Sequence, residues 1–227
     1  MRDRLNQIPA ERLHLWLMLA LTFTTGINDA VGYLGLDKVF TANMTGNVVI
    51  LGMAVVGETG LPVAGPALAL VGFMVGAAVG GRTLKRADGN WTGATAVLFS
   101  CVAGTMFALA GLLFTAGDEP TQPFMITITT LAALAMGMQA AAARVVAVRD
   151  VTTVVVTSTI TGLAADSPFG AGRPGSTARR IAAVALMLLG AALGALCVQW
   201  HPGTGLLVAG AIVTLATLVG HLHDAGA

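Results

Sequence analysis

The stretch VFTANMTGNVVIL, residues 39–51, is apolar at both ends and polar in its middle. Its centre carries two amides, Asn43 and Asn47, together with Thr45 and the helix-breaking Gly46. Polar groups left without partners in hydrocarbon are costly, so such a centre is unusual in a membrane-spanning helix. We interpret residues 39–57 as a broken segment that enters the membrane, lines a polar path and returns to the side from which it came.

The composition of the whole chain is that of an integral membrane protein. Of its 227 residues, 56% are hydrophobic and only 10% are charged, against about 25% charged in an ordinary soluble domain. The mean hydropathy is +0.82. Six apolar segments reach or exceed the roughly 20 residues that a helix needs to cross a bilayer, and they lie at 13–36, 61–81, 93–115, 121–143, 180–199 and 203–222.

A second short segment, VTTVVVTSTITGLAA at residues 151–165, is also polar, with five threonines and one serine. The positive-inside rule distinguishes crossing from returning segments. If all eight segments cross, the twelve basic residues divide six to six between the two sides. If segments 39–57 and 151–165 return, eleven lie inside and only Lys38 lies outside. We therefore predict six crossings, two broken segments and both termini in the cytoplasm.

The two halves of the chain are similar in order. Residues 76–80 read GAAVG and residues 190–194 read GAALG, while 102–113 and 208–219 share six of twelve positions. Each half holds three crossings and one broken segment, so the second half is inverted relative to the first, as in many secondary transporters. The predicted fold is an all-α inverted 3+3 repeat, with the first repeat at residues 1–116 and the second at residues 117–227.

Each broken segment is expected to combine a short extended piece with a half-helix. In the first, residues 39–44 extend into the membrane towards its midplane, and Thr45 and Gly46 provide the N-cap and the turn. Residues 47–56 then return to the same side as a helix. In the second, residues 151–156 are extended and Thr157, Ser158 and Thr159 provide the cap. Two half-helix N-termini would then meet near the midplane and could hold an anion or a carbonyl oxygen. The alternative is that these polar groups only tie helices together.

One acidic residue, Asp29, lies well inside the first span, with Asn28 beside it. An ionisable residue within a span is by default a functional-site hypothesis. Asp29 is a candidate proton carrier or cation ligand, or else a structural acceptor for the broken segment through Asn43 or Asn47. The corresponding place in the second half holds Gln139 and Ala140, so the two halves are unequal in chemistry.

The string GINDAVGYLGLDKVFTANMTGNVVILGMAV, residues 26–55, resembles the N-terminal signature of the YoaK family of bacterial multi-span membrane proteins, a domain-of-unknown-function group. Asp29, Phe40, Asn43, Thr45, Gly46 and Asn47 match that signature. The second half has a weaker pattern at Gln139, Thr152, Thr153 and Thr157, with departures at Ala140 and Ser158. The resemblance implies a protein of the bacterial inner membrane and implies no substrate.

These features predict a transporter or channel for a small polar or anionic solute, coupled to protons or another ion through Asp29. We expect no enzyme activity, cofactor, metal or nucleic-acid partner. The alternatives are a non-transporting structural or regulatory membrane protein and an intramembrane enzyme. Glycines at 72, 76, 80, 190 and 194 form small-residue faces, which serve either internal packing or a homodimer seam.

Overall fold

The structure, a computed structural model, describes residues 8–57, 60–87, 91–117, 120–146, 156–172 and 177–224. Within these ranges the chain forms helices and no strands, which confirms the all-α class. The helices are α1 (Ala10–Gly35), α2 (Met44–Val55), α3 (Ala64–Thr83), α4 (Gly93–Thr115), α5 (Gln122–Val146), α6 (Val156–Ala165), α7 (Thr177–Trp200) and α8 (Pro202–Asp224).

Five of the described helices, namely α3, α4, α5, α7 and α8, are long and apolar enough to cross a membrane. Their bounds agree with the predicted spans to within a few residues. Helix α1 has 26 residues, a length of about 39 Å, but Asn28 and Asp29 lower its hydropathy. Both side chains are buried inside the protein. Many large apolar side chains elsewhere, such as Leu188 and Leu215, are exposed, as expected of a surface that faces lipid.

The two remaining helices, as described, are shorter than the roughly 20 residues that a helix needs to cross a bilayer. Helix α2 has 12 residues and α6 has 10, which correspond to about 18 Å and 15 Å. Helix α2 packs against α3, and α6 packs against α7. The predicted extended piece is residues 151–156. Residues 151–155 lie outside the described residues, and Val156 is the first residue of α6 and not extended.

Glycines allow α1 and α7 to pack with their backbones in contact. Gly190 of α7 lies against the carbonyl of Phe23, and one turn further on Gly194 lies against the carbonyl of Ile27. Because both residue numbers rise together along the contact, α1 and α7 run in the same direction.

Helices α3 and α5 pack in the same manner. Gly72 lies against the carbonyl of Thr130, and Gly76 lies against the carbonyl of Leu134. These two helices are therefore also parallel to each other. The glycine faces considered for a homodimer seam are consequently occupied by contacts within the chain.

Two other helix pairs run in opposite directions. At one end of the α4–α8 pair Gly203 lies against Phe114, and at the other end Gly220 lies against Trp91. Helix α1 and helix α5 also cross in opposite directions, since Gln139 contacts Thr25 and the earlier residue Met136 contacts Asn28. Around these contacts Met18, Phe99, Met106 and Leu206 form the centre of the core.

Candidate functional site

Asp29 holds the loop between α1 and α2. Its Oδ1 atom accepts hydrogen bonds from the backbone N–H groups of Thr41 (2.9 Å), Ala42 (2.7 Å) and Asn43 (3.3 Å). The Thr41 hydroxyl donates to the same oxygen at 3.3 Å. The structural alternative considered for Asp29 is therefore present in the fold, through the backbone of residues 41–43 and the Thr41 hydroxyl.

Asn47 closes the same loop from α2. Its Oδ1 accepts from the N–H of Phe40 at 2.9 Å, and its Nδ2 donates to the carbonyl of Phe40 at 2.6 Å. Asn47 is buried, so this pair replaces the backbone hydrogen bonds that the irregular chain at Phe40 lacks. Both the oxygen and the nitrogen of the Asn47 side chain are therefore bonded to the backbone of Phe40.

The start of α2 differs from the prediction. Helix α2 begins at Met44, and Asn43 is its N-cap, with Oδ1 accepting from the N–H of Gly46 at 3.2 Å. The prediction that Thr45 is the cap was wrong, because Asp29 fixes the backbone of Thr41, Ala42 and Asn43 and thereby brings the Asn43 side chain to the helix end.

Gly46 is also not the predicted turn, since it lies inside α2. Its lack of a side chain has a different use. A Cβ atom at this position would lie 2.7 Å from the ring of Phe40 and 3.0 Å from the amide nitrogen of Asn43. Glycine at 46 therefore lets α2 approach the loop that Asp29 and Asn47 hold.

The second broken segment also starts earlier than predicted. Helix α6 as described begins at Val156, so Thr157, Ser158 and Thr159 lie within the helix and do not precede it as a cap. Thr159 is buried, whereas Thr157 and Ser158 are exposed. Arg180 secures the other end of α6, since its Nη1 donates to the carbonyl of Gly162 at 2.7 Å and to Asp166 Oδ2 at 2.8 Å.

A cavity of about 910 Å³ lies between the starts of α2 and α6. It brings together four of the predicted site residues of the first half, Asp29, Asn43, Thr45 and Gly46, with Thr157 of the second half. The rest of its lining is Thr25, Tyr33, Phe40, Ala42, Met44, Val49, Ile50, Phe73, Val156 and Met187. Helices α2 and α6 thus line the same cavity.

Five predicted site residues are not in the cavity lining, namely Asn28, Asn47, Gln139, Ser158 and Thr159. Of these, Asn28 and Gln139 lie in the α1–α5 crossing. Asn28 Nδ2 donates to the sulfur of Met136 at 3.1 Å, and Gln139 Nε2 donates to Thr25 Oγ1 at 3.2 Å. The carbonyl oxygens of both amides are buried and have no hydrogen-bond partner among the described residues. Thr25 connects the two places, because it also lines the cavity.

The aromatic part of the lining was missed in the sequence. The rings of Tyr33 and Phe40 are stacked, with centroids 4.9 Å apart. Tyr33 could have been found, because Thr25, Asp29 and Tyr33 are spaced at four-residue intervals and so share one face of α1. Phe73 of α3 gave no such signal. Within the described chain no three His, Cys, Asp or Glu side chains come together as metal ligands.

The chain is similar to a known family and to a curated membrane protein. Residues 17–219 match the family described as "Protein of unknown function (DUF1275)". The UPF0700 transmembrane protein YoaK of Bacillus subtilis (strain 168) is 33% identical over 151 residues, which are 66% of this chain and 65% of that protein. The chain therefore covers just under two thirds of this curated relative. No solved structure matches.

Proposed function

The chain belongs to the DUF1275 family of membrane proteins, and we propose that it is a transporter or channel for a small polar solute. The observation that carries this proposal is the cavity that α2 and α6 share. Phe73 lies halfway along the 20-residue α3, and Met187 lies near the middle of the 24-residue α7. The cavity therefore reaches the middle of the helix bundle, where a transported solute has to bind.

An inverted repeat accounts for the packing. In such a repeat α1 corresponds to α5, α3 to α7 and α4 to α8. Helix α1 packs against α7, the equivalent pair α5 and α3 pack against each other, and α4 packs against α8. Helices that correspond between the two halves, α1 with α5 and α4 with α8, run in opposite directions. Such a relation is expected when two equivalent halves are inserted with opposite orientation. In this proposal the halves are residues 1–116 and 117–227.

The helix directions also favour two segments that do not cross. If α2 crossed the membrane, α1 and α5 would be separated by three crossings and would run in the same direction. They run in opposite directions, and the same reasoning applies to α6 between α4 and α8. Six crossings would put both termini on one side, and the excess of basic residues on that side favours the cytoplasm of the inner membrane.

The hydrogen bonds of Asp29 favour a second candidate function. A carboxylate that accepts four hydrogen bonds from one loop can serve the fold alone, which fits a structural or regulatory subunit. Transport remains the preferred proposal because a dry structural contact needs no cavity beside it. We propose no enzyme activity, since Asp29 is the only charged side chain among the described residues that line the cavity.

The proposal predicts that filling the cavity stops permeation. Liposomes that contain the purified protein are transferred rapidly into an iso-osmotic solution of a polar solute, and they swell as the solute enters. We expect them to swell faster than protein-free liposomes. Thr45→Trp places a large ring in the cavity, so the permeation rate should fall by about tenfold or more. A tenfold fall corresponds to an activation free energy that is higher by about 1.4 kcal/mol. The matched control is Val55→Trp on the same helix, where the side chain is 69% exposed and permeation should be unchanged.

A panel of amines, polyols, amides and carboxylates would be compared in this assay. Rates equal to those of protein-free liposomes for every solute would contradict the proposal. So would equal permeation in the Thr45→Trp and Val55→Trp variants.

A further inference from the structure

The charge of the cavity lining narrows the class of solute. We propose that the cavity selects small organic cations of the ammonium type over anions, with Asp29 Oδ2 as the charged contact and the rings of Tyr33, Phe40 and Phe73 as the apolar wall. This inference rests on the proposed function and names the solute class of the same site.

Asp29 has one oxygen free for a ligand. All four hydrogen bonds from the loop go to Oδ1, and no described residue donates to Oδ2. The residue is only 6% exposed, yet it lines the cavity. A buried carboxylate oxygen of this kind attracts a cationic hydrogen-bond donor strongly, because water screens it little.

Some of the backbone donors beside Asp29 that could bind an anion are already used. The N–H groups of Thr41 and Ala42 bond Asp29, and the N–H of Gly46 bonds the cap residue Asn43. No Lys or Arg is present among the described residues that line the cavity. An anion there would meet the negative charge of Asp29 with no basic partner, so the anionic solute considered from the sequence is disfavoured.

The size and the aromatic wall favour an organic ion over a bare inorganic one. A volume of about 910 Å³ falls within the range of roughly 300–1,000 Å³ that is typical of small-molecule pockets. Tyr33 and Phe40 form a stacked pair and line the same cavity as the Asp29 carboxylate. Aromatic faces beside a carboxylate recognise substituted ammonium ions through cation–π attraction.

The test measures the charge preference of the cavity with two thiol reagents of similar size. Cys101 and Cys197 are changed to Ala, and a single cysteine is introduced as Thr45→Cys in the cavity or as Phe169→Cys, a fully exposed control position. The purified detergent-solubilised protein reacts with a trimethylammonium-ethyl or a sulfonato-ethyl methanethiosulfonate. The rate ratio of cation to anion at residue 45 is divided by the ratio at residue 169.

We expect a normalised ratio of about tenfold or more in favour of the cation. Adding Asp29→Asn, which keeps an oxygen for the loop N–H groups, should bring the ratio close to one. With Asp29 intact, n-propylammonium chloride should slow the reaction at residue 45, whereas sodium propionate should not. This competition needs no change at Asp29 and therefore does not depend on the folding of that variant.

Each contrary result has a distinct meaning. A ratio at or below one, a ratio unchanged by Asp29→Asn, or equal competition by the amine and the carboxylate would overturn the cation preference and leave the transporter proposal standing. Failure of both reagents at residue 45, with normal reaction at residue 169, would show that water does not reach the cavity and would overturn the proposed function as well.

Discussion

Asp29→Ala should destabilise the protein far more than any single change within the loop between α1 and α2. The substitution removes the acceptor for the N–H groups of Thr41 and Ala42, both of which are buried. Two unsatisfied buried donors at about 1–3 kcal/mol each give a loss of about 4 kcal/mol in the free energy of unfolding. The measurement is unfolding in mixed detergent and SDS micelles, followed by circular dichroism.

Two variants control this prediction. Asp29→Asn keeps an acceptor oxygen, so it should lose less than half as much stability while removing the charge. Asp37→Ala removes an aspartate from the same loop whose Oδ2 has no hydrogen-bond partner among the described residues, and it should cost less than about 1 kcal/mol. Similar small losses for Asp29→Ala and Asp37→Ala would show that the loop does not depend on Asp29.

Gly76→Val should separate α3 from α5. A Cβ atom at this position overlaps the carbonyl group of Leu134, and a backbone atom cannot move aside as a flexible side chain can. Overpacking of this kind costs about 3 kcal/mol or more, at the upper end of the usual range. The corresponding change Gly190→Val, against the carbonyl of Phe23, should have a similar effect on the pairing of α1 and α7.

The control for the glycine prediction lies on the same helix. Gly81 has open space where a Cβ atom would be placed, so Gly81→Val should be neutral or slightly stabilising through helix propensity. The same SDS unfolding assay compares the three variants. If Gly76→Val proved as stable as Gly81→Val, the close crossing of α3 and α5 would be contradicted.

The membrane class and the helix positions could be predicted because they depend on local properties of the chain. A run of about 20 apolar residues defines a span wherever it occurs, and the polar centre around Asn43 and Asn47 interrupts such a run. The family resemblance was confirmed by the match over residues 17–219. The contact between Asp29 and the first short segment, which was considered as the structural alternative, is present, since a buried carboxylate needs donors nearby.

The details that were missed depend on contacts between distant elements. Thr45 and Asn43 are both good N-cap residues by type. Asn43 is the cap because the hydrogen bonds from the loop backbone to Asp29 bring its side chain to the start of α2. Phe73 and Met187 look like ordinary lipid-facing residues in the sequence, yet both line the cavity. The glycine faces were ambiguous for the same reason, because a small-residue stripe does not specify whether its partner is in the same chain.

We propose that α2 enters the membrane and returns to the same side, so that α2 and α6 can share a cavity. The most direct test is the sidedness of single cysteines labelled in intact bacterial cells with a membrane-impermeant maleimide. Lys38→Cys and Gly57→Cys flank α2 and should both be labelled from outside, whereas Lys85→Cys and Phe169→Cys should be labelled only after the membrane is permeabilised. Labelling of residues 38 and 57 from opposite sides would show that α2 crosses the membrane, and it would contradict the proposed return of α2 to the same side.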